Sequence, residues 1–162
     1  MKIALGSDNY GFDLKQEVKN HLLDKGFEIE DVGVSDRNAE TPYYQTASLV
    51  AKQVANHQVN RGILFCASGM GMAIVANKHP GIYAAVCENA EAARMSRSIN
   101  NSNILTLGGL VTTPQVAQEI VDTWLSTEFT QGWELSVQEW LHNSMKDIAQ
   151  LETQKFAHLD RD

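Results

Sequence analysis

Apolar segments of strand length alternate with segments of helical periodicity along this chain, and that alternation narrows the architectures open to it. Lys2-Ile3-Ala4-Leu5-Gly6 reads as a buried strand, after which Leu14, Val18 and Leu22 recur on one helical face. Gly26 stops that helix, since glycine enters the left-handed region without a Cβ clash. Phe27-Glu28-Ile29-Glu30-Asp31-Val32 alternates apolar and polar, the pattern of a half-exposed strand. A polar loop over 35–40 leads to Pro42, which opens a helix with Ala47, Val50, Ala51 and Val54 on one face. Gly62-Ile63-Leu64-Phe65-Cys66 is unbroken in apolarity and predicts a central parallel strand covered on both sides. A glycine-rich turn and a short helix to Lys78 follow. Ile82-Tyr83-Ala84-Ala85-Val86 and Asn103-Ile104-Leu105-Thr106-Leu107 predict two more strands, with a helix over 90–98 between them. Pro114 starts a helix carrying Ala117, Ile120, Val121, Trp124 and Leu125 on one side.

Strands alternating with helices over short connections imply a Rossmann-like α/β fold: three layers, a parallel sheet with helices on both faces. Ligands of such sheets bind outside the carboxyl ends of the strands, near a switch in strand order. Asp8, Cys66 and the region of Asn100 are read as following strands, and so as converging there. Beyond Gly132 the pattern changes. Val137, Trp140, Leu141, Met145, Ile148 and Leu151 form a long amphipathic helix with no strand after it. Residues 132–158 therefore read as a C-terminal helical arm of a single domain spanning 1–162. Its apolar stripe must be buried, either on its own domain or, by exchange, on a partner subunit.

With 20 acidic and 13 basic side chains the formal charge is -7, which argues against a nucleic-acid partner. No apolar run approaches the roughly 20 residues that span a bilayer, and Asp8 and Asn9 interrupt the apolar start, so no membrane contact and a cytoplasmic location are expected. Cys66 and Cys87 form no CxxC pair, and the five histidines have no zinc-ligand spacing, so neither a disulfide nor a metal is expected.

Cys66-Ala67-Ser68-Gly69-Met70-Gly71-Met72-Ala73 is the segment richest in chemistry. A strand delivers Cys66, small residues let the backbone curl around a ligand, and the next helix points unpaired N–H groups at the same spot. An enediolate oxygen or a phosphate suits such a place. The glycine spacing matches neither the dinucleotide fingerprint nor the P-loop. Cys66 has a plain structural alternative, a small hydrophobe at a strand end. Its place before a helix N-terminus favours the thiolate instead. No histidine stands near the predicted strand ends to activate a nucleophile, so a proton-abstracting base is the better assignment.

These residues resemble the ribose-5-phosphate isomerase B and galactose-6-phosphate isomerase family. The likeness runs through Lys2 to Asp8, Gly11-Phe12, Leu14-Lys15, Arg61 to Cys66, Gly69, Gly71-Met72 and Ala76-Asn77-Lys78. It continues through Gly81-Ile82, Asn100, Asn103-Ile104-Leu105, Leu107-Gly108-Gly109 and Ile120 to Leu125, about four-fifths of the chain. The resemblance implies a metal-independent aldose–ketose isomerase, needing no cofactor, that works through a cis-enediol. It implies Cys66 as the proton shuttle, and the backbone of Ala67, Ser68, Gly69, Met70 and Gly71 as the holder of the enediolate. Ser68 stands where threonine is usual. Asp8, with Asn9 beside it, is implied to bind sugar hydroxyls, and Asn100 to line the pocket. It further implies homodimers or homotetramers whose sites borrow residues from the neighbouring subunit.

The departures fall on ring opening and on phosphate binding. The family usually reads Asp-His-Ala-Gly where this chain has Asp8-Asn9-Tyr10-Gly11, and Ile99 replaces the histidine credited with opening the sugar ring. Leu110 replaces an arginine. The Gly-Gly-Arg-His-x-x-Arg segment that grips phosphate reads Gln131-Gly132-Trp133-Glu134-Leu135-Ser136-Val137. Each lost charge-assisted hydrogen bond to a dianion costs roughly 1.5–3 kcal/mol. The expected substrate is therefore an unphosphorylated or otherwise atypical sugar, with Trp133 either stacking on it or anchoring the terminal helix. The alternatives are a sugar-phosphate isomerase, or one subunit of a hetero-oligomer, with phosphate held by Arg94, Arg97 or Lys78, and a sugar-binding homologue without turnover.

Overall fold

The computed structural model describes residues 1–39 and 41–156. Among them the chain runs β1 (Lys2–Ser7), α1 (Phe12–Asp24), β2 (Glu28–Asp31), α2 (Tyr43–Ala55), β3 (Arg61–Cys66), α3 (Met70–Ala76), β4 (Ala84–Val86), α4 (Ala90–Ser98), β5 (Ile104–Gly108), α5 (Pro114–Ser126) and α6 (Leu135–Phe156). The strands form one all-parallel sheet in the order β2-β1-β3-β5-β4. This is the expected Rossmann-like fold. All six residues of β3 are buried, as its unbroken apolarity requires of a strand covered on both faces.

The two faces carry separate cores. Leu14, Val18 and Leu22 of α1 and Ala117, Ile120, Val121 and Trp124 of α5 pack with Ile3, Leu5, Ile63 and Phe65 on one side. Ala47, Val50, Ala51 and Val54 of α2 and Met72 and Ala76 of α3 pack with Ala4, Leu64 and Cys66 on the other. Alternate residues of each central strand thus feed opposite layers. Local chemistry sets the helix ends. Asn89 accepts the Ala92 N–H at 2.8 Å to cap α4, Pro114 opens α5, and Gly26 at φ 82° terminates α1.

Three details depart from the sequence expectation. The strand expected over 82–86 starts at Ala84, because Asn103 takes the Tyr83 N–H at 2.8 Å and Asn77 brackets the Ala84 backbone through both amide atoms. The helix expected to reach Lys78 ends at Ala76. Asn100 lies between α4 and β5, so it precedes a strand at the amino edge of the sheet rather than following one.

Helix α6 packs on its own domain along part of its length. Leu141 is buried, the His142 ring meets Phe129 edge-on at 4.9 Å, and both Glu152 carboxylate oxygens accept the Gly81 N–H at 2.9–3.0 Å. Trp140 and Leu151 remain 65% and 57% exposed, so the stripe is only half covered within one chain. Positions 157 and 158 of the expected arm lie outside the described residues.

Candidate active site

From β1 the chain crosses to β2 on one side and then to β3 on the other, so the switch in strand order falls between β1 and β3. Their carboxyl ends are joined there, the Asp8 N–H donating to the Phe65 carbonyl at 3.2 Å. Glycines let the loops after β1, β3 and β5 meet backbone to backbone. A Cβ on Gly11 would lie 2.3 Å from the Phe65 carbonyl carbon, one on Gly108 2.7 Å from the Ser68 Cα, and one on Gly109 2.4 Å from the Tyr10 oxygen. The Gly109 and Leu110 N–H groups donate to the Cys66 and Ala67 carbonyls at 2.7 and 3.0 Å. No side chain other than hydrogen fits at those glycines without moving backbone.

Cys66 ends β3 with 6% of its surface exposed, and its Sγ accepts the Gly69 N–H at 3.1 Å. Gly69 turns the chain into α3 at φ 80°, where a side chain would be strained. The Ala73 N–H is met by the Gly69 carbonyl at 3.2 Å. The N–H groups of Gly71 and Met72 precede it in the first turn and have no acceptor inside the helix. The Met70 N–H faces the Ser68 hydroxyl at 3.4 Å. The resemblance assigned the whole run 67–71 to an oxyanion; the structure commits the Gly69 donor to the Cys66 sulfur.

Asp8 is 7% exposed, and its Oδ1 accepts the Gly11 N–H at 2.9 Å. Burial pushes its carboxyl above the ordinary 3.8, against the backbone N–H groups of Gly11, Tyr10 and Asp8 itself. Asn9 beside it is exposed. Sequence reasoning missed Tyr43. Its ring lies over Gly71, 2.8 Å from where a Cβ would stand, and Tyr44 braces it edge-on at 5.6 Å. The only local signal was its position after Pro42 at the head of α2, which faces the same sheet edge.

Cations on this edge are engaged elsewhere. Lys15, fully buried, donates to Asp31 and to the Val34 carbonyl, both at 2.7 Å, and Arg37 is paired with Asp13. Of the basic residues weighed as phosphate ligands, Arg94 is bidentate to Glu91 at 2.7–2.8 Å. Arg97 is buried and donates to the carbonyls of Thr127 and Ser102 and to Asn101. Burial first, and the neighbouring Arg61 second, lower the Arg97 guanidinium to about 10. Lys78 follows α3 at the amino edge.

Asn100 and Trp133 belong to that other edge. The Thr130 N–H donates to the Ser98 carbonyl at 2.9 Å and the Trp133 N–H to the Thr130 carbonyl at 3.2 Å, so the Asn100 segment and the Trp133 loop are tied together. The Trp133 indole N–H is buried with no acceptor among the described residues. A cavity of about 300 Å³ opens here, lined by Asn77, Tyr83, Asn100, Ser102 and Ile148. One chain thus gathers Asp8, Asn9, Cys66, Ala67, Ser68, Gly69, Met70 and Gly71 at one edge, and Asn100 with Trp133 at the other. Among the described residues no trio of His, Cys, Asp or Glu is placed to hold a metal, and no helix is long and apolar enough to cross a membrane.

A thiol, a buried carboxyl and a glycine-lined cradle at the switch point of an open parallel sheet define an α/β enzyme for a small ligand. Residues 3–139 match the family described as Ribose/Galactose Isomerase, and the chain belongs to it as a sugar isomerase interconverting aldose and ketose. It is 42% identical to the 4-deoxy-4-sulfo-D-erythrose isomerase of Clostridium sp. (strain MSTE9), over 94% of this chain and 96% of that one. It is also 42% identical to ribose-5-phosphate isomerase B of Escherichia coli (strain K12), over 81% and 87%. The structure of ribose-5-phosphate isomerase B from Clostridium thermocellum superposes with a TM-score of 0.88 at 39% identity, covering 96% of this chain and 99% of that one.

Proposed function

We propose that this isomerase acts on a short sugar whose terminal group carries less charge than a phosphate dianion, a sulfonate being the fitting case, with Cys66 as the proton-transfer base. One observation carries the substrate half of this reading. Around the Cys66 cradle the side chains of Asp8, Asn9, Tyr10, Tyr43, Ser68 and Met70 bring no positive charge, while Lys15, Arg37, Arg94 and Arg97 are engaged with other partners. A sulfonate is a monoanion at neutral pH and is satisfied by backbone N–H groups and neutral donors, where a dianion calls for guanidiniums. The likeness to an enzyme named for a 4-deoxy-4-sulfo sugar, over nearly the full length of both chains, supports the same assignment.

In the forward step the Cys66 thiolate takes the C2 proton, the C–H pair becomes the C1–C2 double bond, and the aldehyde oxygen becomes the enediolate oxygen. The first-turn N–H groups of α3 hold that oxygen. The S–H proton then passes to C1, and the O2 hydroxyl proton moves to O1 through Asp8, whose raised carboxyl suits exchange with hydroxyls. Asn100 and Trp133 enter the site from a second copy of the chain, since within one copy they stand at the opposite edge, and the exposed apolar residues of α6 supply surface for that pairing.

The test is a comparison of kcat/KM for 4-deoxy-4-sulfo-D-erythrose, D-ribose and D-ribose 5-phosphate, with Cys66→Ala as control. The sulfonate is expected to exceed ribose 5-phosphate by about a hundredfold or more, equivalent to one or two lost charge-assisted bonds. Efficient turnover of ribose 5-phosphate at micromolar KM would refute the substrate assignment, and activity surviving in Cys66→Ala would remove Cys66 as base.

A further inference from the structure

We infer that Arg97 is a positioning residue for the active centre of a partner copy. Its guanidinium locks the turn that carries Asn100 to the loop that carries Trp133, so that the two enter the neighbouring Cys66 site as one unit. The inference rests on the two-copy reading of that site given above. Arg97 stands in the last turn of α4 with 5% of its surface exposed, at the amino edge and away from its own chain's Cys66 cradle. Burial works against its charge, and three oxygens drawn from two segments offset the cost. Its Nη1 donates to the Asn101 Oδ1 at 3.0 Å and to the Ser102 carbonyl at 2.5 Å, and its Nε to the Thr127 carbonyl at 3.3 Å. A planar guanidinium holds such donors at fixed angles to one another, which a single ammonium cannot.

The backbone on both sides of this fork is strained. Asn101 has φ 50° and Thr130 has φ 65°. Asparagine tolerates the left-handed region, but a β-branched threonine is an outlier there and is sustained only by its surroundings. The Asn101 N–H donates to the Arg97 carbonyl at 3.1 Å, and the Thr130 N–H to the Ser98 carbonyl at 2.9 Å. Ser102 is fixed in turn. Its N–H donates to the Ser96 carbonyl at 2.9 Å, and its hydroxyl takes the Trp124 indole N–H at 2.8 Å beside the Ser96 hydroxyl at 2.9 Å. From Thr130 the frame continues through its carbonyl to the Trp133 N–H at 3.2 Å, and the Trp133 carbonyl accepts the Gln138 side chain of α6 at 2.7 Å. Asn100 itself is exposed between buried Ser98 and Ser102, so its direction follows from this frame. Packing alone requires neither the left-handed turns nor the buried charge. Holding a substrate-facing group in place does, because a shift of about 1 Å there costs up to roughly a hundredfold in rate.

Acting through Asn100 makes Arg97 work in trans, and mixed dimers expose that. Arg97→Gln is co-expressed with Cys66→Ala under two affinity tags, and the mixed dimers are purified. All species are assayed with whichever sugar of the panel above the wild type converts fastest, so the outcome does not hang on the sulfonate assignment. The Arg97→Gln homodimer is expected to lose about 10–100-fold in kcat/KM. The mixed dimer is expected to regain about half of wild-type activity, because the intact Cys66 of one copy meets the intact Asn100 frame of the other. In an Asn100→Ala background the same substitution is expected to cost less than about threefold, a coupling that a general loss of stability does not produce. Arg97→Lys, which keeps the charge and gives up the fork, serves the same measurements where Arg97→Gln does not fold. Wild-type kcat/KM in the Arg97 variant, or an equal cost with and without Asn100, would overturn the inference. So would a mixed dimer no better than the Arg97 homodimer while Cys66→Ala with Asn100→Ala recovers, and that result leaves the two-copy reading standing. No recovery in either mixed dimer would overturn both.

Discussion

Cys66 sits between two environments: its Sγ takes the Gly69 N–H at 3.1 Å, and the residue also belongs to the core formed with α2 and α3. Cys66→Ser keeps the size and the contact to Gly69 but supplies a far weaker base at neutral pH. It is expected to lower kcat by about 10²–10⁴ with KM little changed, as steady-state kinetics will read. A different buried group governs stability. Lys15 has no exposed surface and is held by Asp31 and the Val34 carbonyl. Lys15→Met leaves that carbonyl unpaired and Asp31 with Lys19 as its one charged partner beside the Gly33 N–H, for an expected loss of about 2–4 kcal/mol in denaturant titration. Burial alone would lift the Asp31 carboxyl, but hydrogen bonds from Lys15 and Lys19 outweigh it and hold the group below its ordinary 3.8. A depressed folded-state value contributes stability above the unfolded value and loses it as pH falls through the folded one. The wild-type Tm is therefore expected to fall more steeply than that of Lys15→Met in the acid range below 3.8.

At the scale of elements, the segments that position the site were legible to different degrees. The unbroken run at 62–66 announced β3, because only a strand covered on both faces tolerates that pattern. The helix expected over 90–98 and the strand expected from Asn103 together put Asn100 ahead of a strand, so its amino-edge position was legible in the element order even though the residue was grouped with Asp8 and Cys66. No local pattern revealed that Arg97 would donate to the Thr127 carbonyl, or that Tyr43 would lie on Gly71; these contacts join residues about 30 apart in the chain. The fused loops after β1, β3 and β5 give a test at this scale. Gly109→Ala places a Cβ 2.4 Å from the Tyr10 carbonyl oxygen, which is backbone and cannot swing aside. The loops must part, with an expected destabilisation of about 1–3 kcal/mol and a larger proportional loss of kcat than of folded protein. Circular dichroism melts and kinetics on the same preparation will separate the two.

For the whole molecule, the sheet holds Cys66 and Asn100 at opposite edges, and a site that uses both needs two copies. Cys66→Ala and Asn100→Ala, each nearly inactive alone, are expected to recover about a quarter of wild-type activity when co-expressed, because randomly paired dimers contain one intact site in each mixed pair. Failure to complement, with mixed dimers verified by mass spectrometry, would place the whole site within one chain. With the site shared between two copies as proposed, the separation would also set a concentration threshold. Far below the dissociation constant, association by mass action makes the yield of working centres scale with the square of the subunit supply, so halving expression quarters flux.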